Sequence, residues 1–244
     1  MVTKIRNMDL TAEERPSDSP YVERIWRSRS EQAESFISIA ESHWGIVITK
    51  HKGKNVLTVR GPEMQATAAE GRDQAEYFGI QFKPGVFMPH LPANLVMDRR
   101  DLNLPEAGSR SFWLQSSAWQ FPNFENADTF VNRLVRAGLL VRDPVVDAVL
   151  QGEPAGVSLR TVQRRFLQAT GLTQNDFFQI ERARFATTLL KEGTSILDTA
   201  LEAGYFDQPH LTKALKHFVG QTPAEIVSES RQKPLSFLYK TKPF

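Results

Sequence analysis

Hydrophobic positions follow two different rhythms along the chain. In the first half they tend to alternate or cluster in short β-branched runs. Gly45-Ile46-Val47-Ile48-Thr49 is such a run, His51-Lys52-Gly53-Lys54 carries a turn, and Val56-Leu57-Thr58-Val59 follows, which predicts a hairpin ended by Gly61-Pro62. Residues 75–82 predict another strand, stopped by Lys83-Pro84-Gly85, and residues 111–114 a short one. Residues 1–20 are polar and contain Pro16 and Pro20, so they are expected to form a flexible arm.

From Asn126 the rhythm becomes helical. Phe130, Leu134 and Ala137 share one stripe, with Val131 and Val135 beside it. This helix either packs on its own β-rich half or serves as a dimer contact; the pattern leaves both open. Gly138 and then Asp143-Pro144 mark a stop and a new start. Ile180, Ala183, Thr187 and Leu190, with Phe177 and Ala186 next to them, predict one long helix over residues 174–191. A shorter helix is expected over residues 195–201, followed by a turn at Ala203-Gly204-Tyr205.

The helical part matches itself. Ser158, Val162, Phe166, Gly171 and Thr173 fall, without a gap, on Asp207, Leu211, Leu215, Gly220 and Thr222. Each copy opens on a residue whose side chain can accept an unpaired helix N–H. Each carries apolar residues four apart and closes on a glycine suited to the turn after a helix. The other face is polar in a particular way. Arg160, Gln163, Arg164 and Arg165 surround the first stripe, with no acidic residue from Ser158 to Thr173. Gln208, His210, Thr212, Lys213 and Lys216 surround the second. Arg, Lys, Gln and Thr can donate to phosphates or base edges, and acids are missing where a polyanion would repel them. A short helix, a glycine turn and a polar-faced helix make a helix-turn-helix. A rigid helix between two such heads would hold them apart, and heads in successive major grooves sit about 34 Å apart.

These readings give an α+β chain of two domains: a β-rich N-terminal domain, then an all-α domain of two helix-turn-helix units joined by a long helix. The expected boundaries are an arm at 1–20, the β-rich domain at 21–125, a connecting helix at 126–142, the helical domain at 143–230 and a basic tail at 231–244. Residues 145–244 are expected to fold and bind DNA alone.

Charge sharpens this division. Residues 1–132 hold 15 Lys/Arg and 17 Asp/Glu, a net of −2, while residues 133–244 hold 15 and 11, a net of +4. The basic excess lies on the helical side, partly in Arg231, Lys233, Lys240 and Lys242 of the tail. With no cysteine, disulfides, thiolate metal sites and cysteine nucleophiles are excluded, and a reducing, cytoplasmic setting is expected. No apolar run reaches the roughly 20 residues of a membrane span. His210 and His217 lack a nearby acid, and His43, His51 and His90 are scattered, so no metal or other cofactor is expected. Phosphate-cradling, zinc-protease and nucleophile-elbow motifs are all missing, and no enzyme is expected. The tryptophans Trp26, Trp44, Trp113 and Trp119 either line a ligand pocket or fill the core.

The pieces SLRTVQRRFLQATGLT, RARFATTLL, SILDTALEAGYFDQPHLTKALKHFVG and QTPAEI, in this order from about Pro144 to Ile226, resemble the C-terminal domain of AraC/XylS transcription regulators. The resemblance implies sequence-specific binding of double-stranded DNA. Arg160, Gln163 and Arg164 would face bases from the first head, and Gln208, Pro209, His210, Thr212 and Lys213 from the second. Arg165 and Lys216 match phosphate contacts or plain surface charge. Arg182, Ala186, Leu189 and Leu190 match the family's linker helix. Leu215 and Lys213 stand where Phe and Arg are usual, and Lys lacks Arg's fork-like contact to guanine. The segment 151–156 is shorter and richer in Gly and Pro than the family's, with residues 143–150 as the supporting helix of the first head. Phe82-Lys83-Pro84-Gly85 is similar to a strand end in one subgroup's β-rich N-terminal domains. The resemblance also brings a small-molecule effector, a homodimer and a contact with RNA polymerase as expected partners. Two alternatives stand beside it: a ligand-binding or enzymatic β-domain with a helical appendage, and a helical half that binds a protein.

Overall fold

Backbone pairing in the first half is antiparallel, and joins hairpins of neighbouring strands to strands remote in the sequence. The computed structural model describes residues 3–7, 10–98, 100–228 and 234–236. Seven strands form one sheet: β1 (Thr3–Asn7), β2 (Leu10–Arg15), β3 (Val22–Ser30), β5 (Gly45–His51), β6 (Lys54–Arg60), β8 (Ala75–Phe82) and β10 (Leu102–Asn103), in the order β1-β2-β3-β8-β5-β6-β10. The predicted hairpin is β5–β6, and β8 lies between β3 and β5, with Ile80 opposite both Ile25 and Ile46. These three isoleucines are buried together, the alternation placing them on the core face.

Two smaller sheets belong to the same unit. β11 (Glu106–Gly108), β12 (Ser111–Leu114) and β13 (Ser117–Gln120) form a meander, and β9 (Val86–Phe87) pairs with β14 (Val141–Arg142). The helix α1 (Ala127–Arg136) inserts Phe130, Val131 and Leu134 into the core. Phe130 meets Trp119 edge to face, ring centroids 6.1 Å apart, and Phe112 at 6.3 Å. Of the two placements open for this helix, its own β-rich region takes its apolar stripe. Trp44 and Trp119 also lie in this core, whereas Trp113 is about half exposed.

Residues 3–7 and 10–15 are strands, where a flexible arm is expected from composition. The reason is pairing rather than propensity: β2 runs along β3 in register, Glu14 opposite Trp26. Beyond it, Arg15 donates to the Phe124 carbonyl at 2.7 and 3.0 Å and to Asp128 at 2.8 Å, and Ser17 also donates to Asp128. Burial alone would raise the Asp128 pKa; the hydrogen bonds from Ser17 and Arg15, with the Arg15 charge, outweigh it and hold the carboxyl below its ordinary 3.8. The ionised form is therefore favoured by folding. Its contribution is full above the unfolded value and is lost as pH falls through the folded one. Asp128→Asn is expected to flatten the acid limb of a stability–pH curve below about pH 4. An unchanged limb would show that this anchor does not form in solution.

The chain divides into two units, Met1–Glu34, His43–Pro62 and Gly71–Gly171 in one, and Ser35–Ser42, Glu63–Glu70 and Leu172–Phe244 in the other. The first includes α2 (Pro144–Leu150) and α3 (Leu159–Thr170) as well as a 3-10 turn at Ala93–Leu95. The second contains α4 (Gln174–Lys191), α5 (Ile196–Glu202), α6 (Gln208–Phe218) and α7 (Pro223–Val227). It also contains β4 (Ser35–Ser38) and β7 (Thr67–Glu70), an antiparallel pair drawn from the first third of the chain. The basic tail, apart from residues 234–236, lies outside the described residues. Among the described residues no helix is long and apolar enough to cross a membrane.

The chain flanking β4 and β7 gives the second unit partners that helices alone lack. The last carbonyls of a helix have no intrahelical donor. Here the carbonyls of His217 and Phe218 accept from the backbone N–H groups of Ala66 at 2.9 Å and Ala40 at 2.7 Å. Arg184, buried in α4, donates to the Ala40 carbonyl at 2.8 Å and pairs with Glu41 at 3.4 Å. One turn away, buried Glu181 accepts from Ser42. Both buried charges of α4 thus answer to residues 40–42.

Candidate nucleic-acid interface

The first head is built by α2 and α3. Asp143 caps α2 by accepting from the Val145 N–H at 2.9 Å, and its other oxygen takes the Arg165 Nε at 2.8 Å. This second bond ties α3 to the start of α2. Arg165 is thereby engaged inside the head, and Asp143 is buried. The Asp143 N–H in turn donates to the Gly85 carbonyl at 2.8 Å. Gly85, at φ 85°, closes the Phe82-Lys83-Pro84-Gly85 strand end, so the motif noted in the sequence anchors the first helix of the head.

Ser158 caps α3 and Gly171 ends it in the left-handed region at φ 79°. Val162, Phe166 and Ala169 are buried, so the remaining face turns outward with Arg160, Gln163 and Arg164 exposed. Among the described residues no carboxylate forms an ion pair with Arg160 or Arg164. Two uncompensated guanidiniums and an amide share one helical face, which leaves their donors available to an anion or a base edge. Leu159 and Leu167 are exposed there too, at 69% and 48%.

The second head is α5, the turn at residues 203–206 and α6. Ser195 caps α5 and Asp207 caps α6, accepting from the His210 N–H at 2.7 Å. The turn is braced from α4. The Arg182 guanidinium lies 4.6 Å from the centroid of the Tyr205 ring and reaches the Gly204 carbonyl at 3.4 Å. Burial of Tyr205 pushes its hydroxyl up to about 12, partly opposed by the Arg182 charge. Leu211 and Leu215 face inward at 0% exposure, the positions matched by Val162 and Phe166 in the repeat.

Gln208, Pro209, His210, Lys213 and Lys216 are exposed on α6, and Thr212 is half-buried. With His217 and Thr222, all of these except His210 line one shallow depression. Their availability differs. Thr212 gives its hydroxyl proton to the Gln208 carbonyl at 2.8 Å, so it offers a lone pair and a methyl rather than a donor. Lys216 reaches Glu225 at 3.7 Å, a solvent-exposed pair that leaves the amine mobile. Glu225 also takes the Thr222 N–H and hydroxyl in a capping box, which with Lys216 nearby keeps its carboxyl below the ordinary range. Lys213 has no ion-pair partner among the described residues. His210 meets Tyr205 edge to face at 5.1 Å.

Of the ten side chains singled out in the sequence, the structure sets Arg160, Gln163 and Arg164 together on the exposed face of α3 and the other six on α6. Arg165 turns to Asp143. Two features escaped the sequence: the Arg182–Tyr205 brace, whose partners lie 23 positions apart, and Phe206, a fully presented aromatic beside the α6 cap. The only available signal for Phe206 was an aromatic directly before a cap residue.

Comparison with known proteins bears on this region alone. A family described as a helix-turn-helix domain matches residues 153–229. An uncharacterized HTH-type transcriptional regulator of Escherichia coli (strain K12), YidL, is 34% identical over 74 residues, 30% of this chain and 25% of that protein. The HTH-type transcriptional regulator RipA of Corynebacterium glutamicum is 34% identical over 90 residues, 36% of this chain and 27% of that protein. The matched stretch thus spans about a quarter of either relative. No solved structure matches the chain significantly.

Proposed function

With residues 153–229 an AraC-type helix-turn-helix domain, we propose that this protein is a sequence-specific DNA-binding transcription regulator. The observation that carries the proposal is the exposed, carboxylate-free face of α3, repeated in kind on α6. Arg160, Gln163 and Arg164 read bases from the first head. Gln208, Pro209, His210, Thr212 and Lys213 read them from the second, with Lys216 on a phosphate. Arg165 sets the angle between α2 and α3. The role is regulatory rather than enzymatic. A small-molecule effector bound by the β-rich region, a homodimer and a contact with RNA polymerase extend the same proposal.

Selection of bound duplexes from a random pool at near-physiological salt tests it. Enrichment of a defined motif is the expected result, and two separately required blocks would show both heads in use. No enrichment above nonspecific binding, with and without candidate effectors, would refute the reading. On the selected duplex, Arg164→Ala is expected to cost roughly 1–3 kcal/mol and to relax preference at one position. An equal loss on every sequence would restrict Arg164 to phosphate. Affinity should fall steeply with salt, because cations released from phosphates drive binding.

A further inference from the structure

The most exposed large apolar side chain among those described is Phe206, at 91%. It occupies the position directly before Asp207, the cap of α6. An apolar residue there commonly folds back onto the fourth residue of the helix. That residue is Leu211, buried at 0% in the head's interior, and an almost fully exposed Phe206 does not cover it. Backbone bonds fix the local chain while leaving the ring outward: the Phe206 N–H points to His210 Nδ1 at 3.5 Å, and the neighbouring Tyr205 is buried against Arg182. The Tyr205 N–H also donates to the Ala200 carbonyl at 2.8 Å, so the ring is presented by a hydrogen-bonded turn.

Its location decides what it meets. In a helix-turn-helix the N-terminal residues of the second helix approach the base edges. Around that end of α6 lie Gln208, Pro209 and His210, and α6 has no acidic residue in its first turn. In the major groove the apolar group on offer is the thymine 5-methyl, and a phenyl ring is one of its recognised partners. Leu197 and Leu201 on α5 are also exposed, but nothing shows what would cover them.

On the premise that this head binds DNA, we propose that Phe206 is a specificity residue that packs on the 5-methyl group of a thymine, so that the second head selects a thymine next to the bases read from α6. This gives that head an apolar selection, which matters because Lys213 lacks the two-pronged guanine contact of an arginine.

The test uses the full chain and the duplex enriched from the random pool. Each thymine is replaced in turn by deoxyuridine, which removes the methyl and leaves every hydrogen-bonding group in place. One thymine in the block read by α6 is expected to show a loss of about fourfold, the value for one buried methyl-sized group. Phe206→Ser should bind the thymine and deoxyuridine duplexes equally, and Phe206→Leu should keep part of the difference. Circular dichroism of both variants should match the parent, since the ring covers nothing in the fold. The inference is overturned if no thymine is methyl-sensitive, or if Phe206→Ser keeps the full ratio. It is equally overturned if Phe206→Ser binds every duplex as the parent does but changes its sedimentation, which would assign the ring to self-association. Failure to enrich any sequence would remove the DNA-binding premise as well, and so is distinct from enrichment without methyl dependence.

Discussion

Arg184→Ala is expected to destabilise the α4–α7 unit by roughly 3–5 kcal/mol in urea unfolding, the cost of removing one partner from a buried charge pair. Arg184 is 2% exposed, and it joins the Ala40 carbonyl and the Glu41 carboxylate to a helix more than 140 positions away. Its loss takes the donor from that carbonyl and removes the ion pair with Glu41. Glu41→Gln should cost less, because Glu41 is more exposed and the carbonyl bond survives. Coupling between the two, measured in a double-mutant cycle, separates the ion pair from the packing of the Arg184 stem. A loss below about 1 kcal/mol for Arg184→Ala, well under the buried-pair range, would show that the clamp is solvated in solution.

The same geometry changes the expectation that residues 145–244 fold and bind DNA by themselves. Such a fragment lacks Ala40 and Ala66, which hold the C-terminal carbonyls of α6. It also strands Arg184 and Glu181 inside α4 without residues 40–42. It is expected to retain helix by circular dichroism but to unfold without a sharp transition. Cooperative unfolding of the fragment, with parent-like affinity for a selected duplex, would refute this.

Phe166→Ala is expected to cost about 3–5 kcal/mol and Leu215→Ala about 2–5 kcal/mol, the ranges for emptying a fully buried core position. The two residues occupy equivalent places in the internal repeat, and both are at 0% exposure. They belong to different units, however: Phe166 lies among residues 71–171, and Leu215 among residues 172–244. Each substitution should therefore loosen its own head. Hydrogen exchange is the informative measurement, with Phe166→Ala raising exchange chiefly in α2 and α3, and Leu215→Ala chiefly in α4 to α7. Uniform acceleration throughout the chain by either variant would show that the two units unfold as one.

Much of the helical part was legible because its determinants are local. The spacing of Ile180, Ala183, Thr187 and Leu190 marks α4, and the structure places that helix at Gln174–Lys191, as the sequence predicts. Ser158 and Asp207 begin α3 and α6 and Gly171 ends the first, because a cap satisfies backbone groups within a few positions of itself. The hairpin at β5–β6 was legible for the same reason, its turn residues lying between two β-branched runs. Exposure of Arg160, Gln163 and Arg164 followed from the apolar stripe behind them.

What only the tertiary structure decided is which distant segments meet. Residues 10–15 are mostly polar and residues 35–38 too short a run to mark a strand, and both become strands by pairing with β3 and β7. A polar composition cannot reveal that, since ladder hydrogen bonds are made by backbone common to all sequences. Charge was misleading in the same way. Arg165 and Arg164 are adjacent and chemically identical, yet one is drawn to Asp143 while the other stays exposed without a counter-ion. By itself, the sequence determined where the helices start, stop and hide their apolar faces, because those depend on neighbours three or four positions away. The tertiary structure alone decided which charges are engaged within the fold and which stay exposed, because burial and pairing are set by residues remote in the chain.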